Sequence, residues 1–220
     1  MTIRLASFCP LVWHRKGQEA ISKYRIPPFV DYSCRREPDL MSSFPSITAL
    51  CRKGKFAPYL QAGDTVIYIT VKGNYFGIEQ KHWRLVAILE VIHHFASHLE
   101  AGAWYESQGL PLPTNCITHV NPPLSLDLAP PIKHYQTDLR KWDLAYQSRA
   151  RQYGDFLICK PVFKELYEPP LITDDTMLKV FGKIPLTRNP PKISIEHYEL
   201  LKAECGIAET VERTEDADQL

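Results

Sequence analysis

The chain alternates short apolar runs with turn-forming and charged stretches, and the runs differ in period. Thr65 to Val71 (TVIYITV) and Arg84 to Ile92 (RLVAILEVI) are β-branched or apolar with little alternation. That pattern predicts two strands covered on both faces or curled into a small barrel. Residues 2 to 6 (TIRLA) and Phe156 to Cys159 (FLIC) predict two shorter strands. Gln18 to Tyr24 fits one or two helical turns stopped by Pro27 and Pro28. Ser97-His98-Leu99-Glu100 is a capping box, which predicts a helix from His98 to about Gln108 that stops at Gly109. Tyr135, Leu139, Trp142, Tyr146 and Tyr153 recur at helical spacing, so a longer helix is expected over Lys133 to Tyr153, ended by Gly154. Thr173-Asp174-Asp175 opens a short helix that ends at Gly182, and a last helix follows Ser194 and stops at Gly206. The segment Asp31 to Pro58 is rich in turn formers and basic residues, with a short strand or helix at Ser46 to Cys51. The proline-rich stretch from Leu110 to Pro131 has to take an extended path.

At 220 residues with 45% hydrophobic and 23% charged residues, the chain has the composition of a folded globular protein and enough length for a real core. No apolar run reaches the roughly 18 residues that span a bilayer, and the start has no signal-peptide layout, so a cytosolic protein is expected. Six scattered cysteines without a CxxC read as buried thiols rather than a disulfide framework. The net charge of +1 conceals a gradient: residues 1–195 hold 24 basic against 17 acidic side chains, and residues 196–220 hold 2 against 8. A basic body with an acidic tail suits an anionic partner, with the tail as a competitor for the same surface; a solvating tail explains the charge equally well. The last dozen residues are expected to be disordered.

The order of these elements resembles a known family. The stretches SITALCRKGKFAPYLQAGDTVIYIT and RLVAILEVIHHFASHLEAGAWY are similar to the core of the PUA-like superfamily, in particular its ASCH and EVE branches. The matching residues are Thr48 and Arg52, Gly63 and Asp64, Glu90 and Val91, and the helix from His98. SCRREPD and LPTNC extend the resemblance to nucleotide-modification-associated domains. It covers roughly residues 30 to 130. What it implies is an α+β fold: a small, curled, mixed β-barrel flanked by helices, with a helical C-terminal extension, whose concave face binds RNA, DNA or a modified base. The domain would occupy residues 1–195 and the terminal helix and acidic tail residues 196–220.

Candidate binding residues follow from charge and ring chemistry. Arg35, Arg36, Arg52, Lys53 and Lys55 would form an electropositive loop pair on phosphate if both loops fold onto one rim; the alternative is an arginine–carboxylate network with Glu37 and Asp39 that ties the loops down. Tyr68 and Trp104 are candidate stacking faces, although each aromatic is more often core. Asn115 offers both donor and acceptor to a base edge, or forms a turn after Pro113. Some ASCH-like proteins are amidohydrolases or ribonucleases that use a Lys, a Thr and a Glu. The resemblance therefore points to Thr48 and Glu90 as catalytic, but the lysine expected just before Thr48 is missing, and Lys53 or Lys55 would have to replace it. His93, His94 and His98, or Cys116 with His119, have partial ligand spacing without enough partners, so no metal or other cofactor is expected. Gly-rich phosphate loops, GxSxG and HExxH are absent. The chain thus reads as a nucleic-acid or modified-nucleotide binder, with a hydrolase and a protein-interaction module as rivals.

Overall fold

The computed structural model describes residues 1–207. Seven strands, β1 (Ile3–Phe8), β2 (Ser46–Thr48), β3 (Thr65–Thr70), β4 (Trp83–Phe95), β5 (Phe156–Lys164), β6 (Leu171–Ile172) and β7 (Lys192–Ile193), form one mixed sheet. Five helices accompany them: α1 (Arg15–Tyr24), α2 (His98–Ser107), α3 (Leu139–Gln152), α4 (Asp174–Phe181) and α5 (Ile195–Glu204). The strand order is β2-β5-β4-β3-β1-β7, with β6 pairing the start of β4. β1 and β3 run parallel, in register from Ile3–Thr65 to Phe8–Thr70, and every other pair is antiparallel.

The α+β class is as expected, but the barrel is not. β2 and β7 lie at opposite ends of the order and do not pair, so the sheet is open. The unalternating apolar runs have another cause: both faces of the sheet are covered by other layers. Along β3, Val66 and Tyr68 enter one core with Phe29, Leu40 and Leu60 from the segment lying across that face. Ile67 and Ile69 enter a second core with Met177 and Val180 of α4 and Leu201 of α5. All six β3 side chains are buried as a result. β4 is the hub, long enough to pair β3 on one side and β5 on the other, and two register shifts against β5 bend it.

The helices start where the sequence places caps. Ser97 accepts from Glu100 N, Asp138 from Lys141 N, Thr173 from Thr176 N and Ser194 from His197 N. The Asp138 cap also explains why α3 begins at Leu139 rather than at Lys133: residues 134–136 form a separate 3-10 turn. The expected disorder of the last dozen residues lies outside the described residues. Among the described residues no helix is long and apolar enough to cross a membrane.

Candidate functional site

The segment Ser33 to Leu40, part of the stretch read as a turn-rich basic loop region, is buried throughout. It crosses one face of the sheet, so its polar side chains had to find partners inside the protein. Arg35 is 2% exposed and forms a two-pronged pair with Asp143 of α3, Nε to Oδ1 at 2.7 Å and Nη2 to Oδ2 at 3.2 Å. Its Nη1 donates to the carbonyls of Thr114 and Asn121. Arg36, also 2% exposed, donates through Nη1 to the Asp31 carbonyl and through Nη2 to that of Leu128, while its Nε has no partner. These two arginines are therefore not an open phosphate-binding rim; they tie the loop down, but through Asp143 and backbone carbonyls rather than through the expected partners Glu37 and Asp39.

Glu37 and Asp39 brace the same segment. Glu37 accepts from Thr48 N at 2.9 Å, from Thr48 Oγ1 at 2.5 Å and from Asn115 Nδ2 at 3.1 Å. Burial pushes its carboxyl up to about 8, against the lowering effect of those hydrogen bonds. Asp39 holds Met41 N with one oxygen, and Thr114 N and Oγ1 with the other. Asn115, completely buried, accepts from Ser46 Oγ at 2.7 Å, and the turn after Pro113 closes through Cys116 N to Pro113 O. It is unavailable to a base edge.

The remaining sequence candidates are dispersed. Arg52 is tied to the Ser7 and Arg188 carbonyls and lies over the Phe56 ring, whereas Lys53 and Lys55 project into solvent. Tyr68 is a core residue, 1% exposed and edge-on to Phe8, so no base can stack on it. Trp104 is half-buried between Phe44, Tyr105 and His93. Thr48 and Glu90 do not meet. Thr48 pairs with Phe156 on one side of β5 and Glu90 with Lys160 on the other. That places them two strand spacings, about 10 Å, apart across the sheet and roughly 13 Å apart along it. The Thr48 hydroxyl is in addition held by Glu37 and by Leu50 N. No catalytic group of Thr48, Glu90 and Lys53 is assembled.

What the fold does assemble is a pair of hollows on either side of the proline-rich segment 110–124. The first, a slot of about 390 Å³, has apolar walls that include Leu112 and Leu128, with Arg36 and Asp39 among the residues lining it and Tyr24 and Arg25 at its lip. Arg25 caps the C-terminal end of α1 in the left-handed conformation, with φ 54°, which turns the chain from the helix into the slot wall. Arg36, with its unpartnered Nε, and Asp39 are thus a donor-bearing and an acceptor-bearing residue of the same hollow.

The second hollow is a cleft of about 680 Å³ between the start of α2, the face of α3 that carries Asp143, Gln147, Ala150 and Arg151, and residues 117–123. The buried Arg35–Asp143 pair lines it, and Gln147 Nε2 donates to Asp143 at 2.7 Å. His98, 5% exposed, accepts from Ile117 N through Nδ1, so the neutral ring carries its proton on Nε2, and that atom has no partner. Burial, and then the charge of Arg35, lower the His98 pKa to about 4, which keeps the ring neutral near pH 7. Thr118 Oγ1, in the same wall, is likewise buried without a partner. His119 and Arg151 are exposed at the rim.

Two of these features had a signal in the sequence: Asp143 lies between Trp142 and Tyr146 on the apolar stripe of a helix, and His98 directly follows a capping serine. The slot had none, because its walls come from segments far apart in the chain. Among the described residues no group of three or more His, Cys, Asp or Glu side chains is placed to hold a metal ion. Comparison with protein-family models, curated proteins and solved structures returns no match.

Proposed function

We propose that the protein binds a planar heterocycle, a base or modified base carried by a nucleotide or a nucleic-acid strand, in the slot lined by Arg36 and Asp39. The observation that carries this reading is that Arg36, whose buried Nε is unused, and the carboxylate-bearing Asp39 both line one largely apolar hollow. A donor beside an acceptor complements the acceptor–donor edge of a lactam, the group that oxo-bases present, and apolar walls desolvate the ring faces. Of the four hydrogen-bond sites on the Asp39 carboxylate, three are used by Met41 and Thr114, which fixes its orientation and leaves one free. Arg25 at the lip, with Lys23 over the Tyr24 ring one position before it, puts positive charge where a phosphate would leave the slot. The PUA-like resemblance points to the same ligand class. Of the binding candidates that charge and ring chemistry gave (Arg35, Arg36, Arg52, Lys53, Lys55, Tyr68, Trp104 and Asn115), however, Arg36 alone remains in this reading.

The test is a calorimetric panel of nucleosides, nucleotides and single- and double-stranded DNA and RNA, with and without modified bases, at two salt concentrations. Saturable binding of at least one member is expected. Leu112→Trp, which fills the slot from a half-buried wall position, should weaken it by tenfold or more. Arg25→Glu should weaken a phosphorylated ligand but not the corresponding nucleoside, and should flatten the salt dependence. Binding that survives Leu112→Trp unchanged would remove the slot from consideration.

A further inference from the structure

The cleft on the other side of segment 110–124 has its own unmet chemistry, independent of the slot. In most buried polar side chains every hydrogen-bonding atom has a partner, since a sealed N–H or O–H without one destabilises the fold. Here two residues that carry such an atom, His98 at Nε2 and Thr118 at Oγ1, line a single hollow. The tautomer of His98 is fixed by the Ile117 N–H at Nδ1, so Nε2–H can only donate. Arg35 has spent its Nε and Nη1 hydrogens and one of its Nη2 hydrogens on Asp143, Thr114 and Asn121, which leaves one N–H. Ser97, His98 and Leu99, the cap and first residues of the ten-residue helix α2, line the same hollow, and with Glu100 N held by Ser97 the N–H groups of His98 and Leu99 are the ones left without an intrahelical acceptor. Arg151 adds a full positive charge at the rim. Donors therefore converge from several directions; Asp143, the one carboxylate in the lining, is neutralised by Arg35 and further engaged by Gln147.

We propose that this cleft is a second binding site, for a phosphoryl group, with His98 Nε2, Thr118 Oγ1 and the first turn of α2 donating to its oxygens and Arg151 compensating its charge. A phosphate has the acceptor oxygens that these donors lack, and the cleft is several times larger than the ion, so the group enters as part of a larger molecule. The same chemistry could come from a phosphomonoester of a small metabolite or from the phosphodiester of a nucleic-acid strand.

The first measurement is calorimetry of the full chain with inorganic phosphate, a sugar monophosphate and an abasic phosphodiester oligomer. Saturable binding of phosphate is expected. Tighter binding of the monoester assigns the site to small molecules, and tighter binding of the oligomer assigns it to a strand. The variant that separates a site from a packing accident is Thr118→Val, which replaces the unpartnered hydroxyl with a methyl of the same shape. It should raise the melting temperature of the ligand-free protein and lower phosphate affinity about tenfold. Arg151→Ala, at an exposed position, should lower affinity several-fold without changing the melting temperature. The ¹H–¹⁵N imidazole signal of His98 Nε2–H should shift as phosphate is added. Absence of saturable phosphate binding, or a Thr118→Val protein that binds as well as the wild type, overturns the proposal. Neither result bears on the slot, which Leu112→Trp tests separately.

Discussion

At the scale of single residues, the segment SCRREPD shows how burial decides between two readings of the same charges. Two adjacent arginines followed closely by two carboxylates are compatible with a phosphate-binding rim or with an internal network, and composition cannot separate them. The structure buries all four charged groups, and each finds partners inside the protein, the Arg36 Nε excepted. Thr48 is the tightest of those partners, with backbone and hydroxyl both on Glu37 and the hydroxyl also accepting from Leu50 N. Thr48→Val keeps the shape but leaves Leu50 N without its acceptor and removes one contact from Glu37. It should cost about 2–3 kcal/mol in a denaturant titration, the usual penalty for orphaning buried polar groups. A change below 0.5 kcal/mol would mean that the network contributes little to stability. Thr48 stands out in the sequence only through the PUA-like resemblance, which implies a catalytic role; its partner Glu37, eleven positions away, gives it a structural one.

At the scale of elements, what could be read from the chain was whatever depends on local physics. Caps, stop glycines and the two long apolar strands fall where period and turn chemistry put them. What depends on the third dimension could not be read. An unalternating strand reveals that both its faces are covered, yet a curled barrel and a sheet sandwiched between a crossing segment and two helices cover it equally. The parallel pairing of β1 with β3 and the two-residue strands β6 and β7 have no local signature either. The placement of α3 matters most for the cleft, because it carries Asp143, Gln147 and Arg151. Asp138 caps this helix from an exposed position, and Asp138→Ala should destabilise the protein by about 1 kcal/mol while leaving the cleft residues in place. Gly154, which joins α3 to β5, is a stricter constraint. A Cβ there would lie 2.3 Å from the Ala96 carbonyl oxygen at the end of β4, and the clash is with backbone that cannot rotate away. Gly154→Ala should cost about 1–3 kcal/mol by thermal melting and distort the cleft floor, whereas the same change at Gly109, with open space around it, should be limited to the cost of its positive φ.

At the scale of the whole molecule, the buried ionisable groups give the protein a pH response opposite to the common one. Most carboxylates are held below their ordinary pKa by the fold, so stability falls in acid. Here burial raises Glu37 to about 8, and burial also raises Asp31 to about 6 despite the hydrogen bonds from Ser33. Between pH 4.5 and 8 the folded state holds the Glu37 proton that the unfolded chain has released, so N binds more protons than U and the unfolding free energy must decrease as pH rises. The stabilisation is complete below about pH 4.5 and gone above about 8, a span worth on the order of a few kcal/mol. His98 acts on the acid side. Its pKa is lowered from 6.5 to about 4, so the unfolded chain binds its proton first and stability falls as pH drops through that window. Glu37 and Asp31 together outweigh the opposing His98 contribution, so the sum of the three falls as pH rises from about 4.5 to 8. Glu37→Gln isolates the alkaline limb: it keeps the side-chain shape, lets Oε1 accept from Thr48 N and removes the titration. Chemical denaturation at pH 5, 6.5 and 8 should show the wild type losing stability at each step and the variant nearly level, with the two curves crossing. A wild type as stable at pH 8 as at pH 5 would mean that Glu37 is ionised in the folded state, and that the hydrogen bonds from Thr48 and Asn115 outweigh its burial.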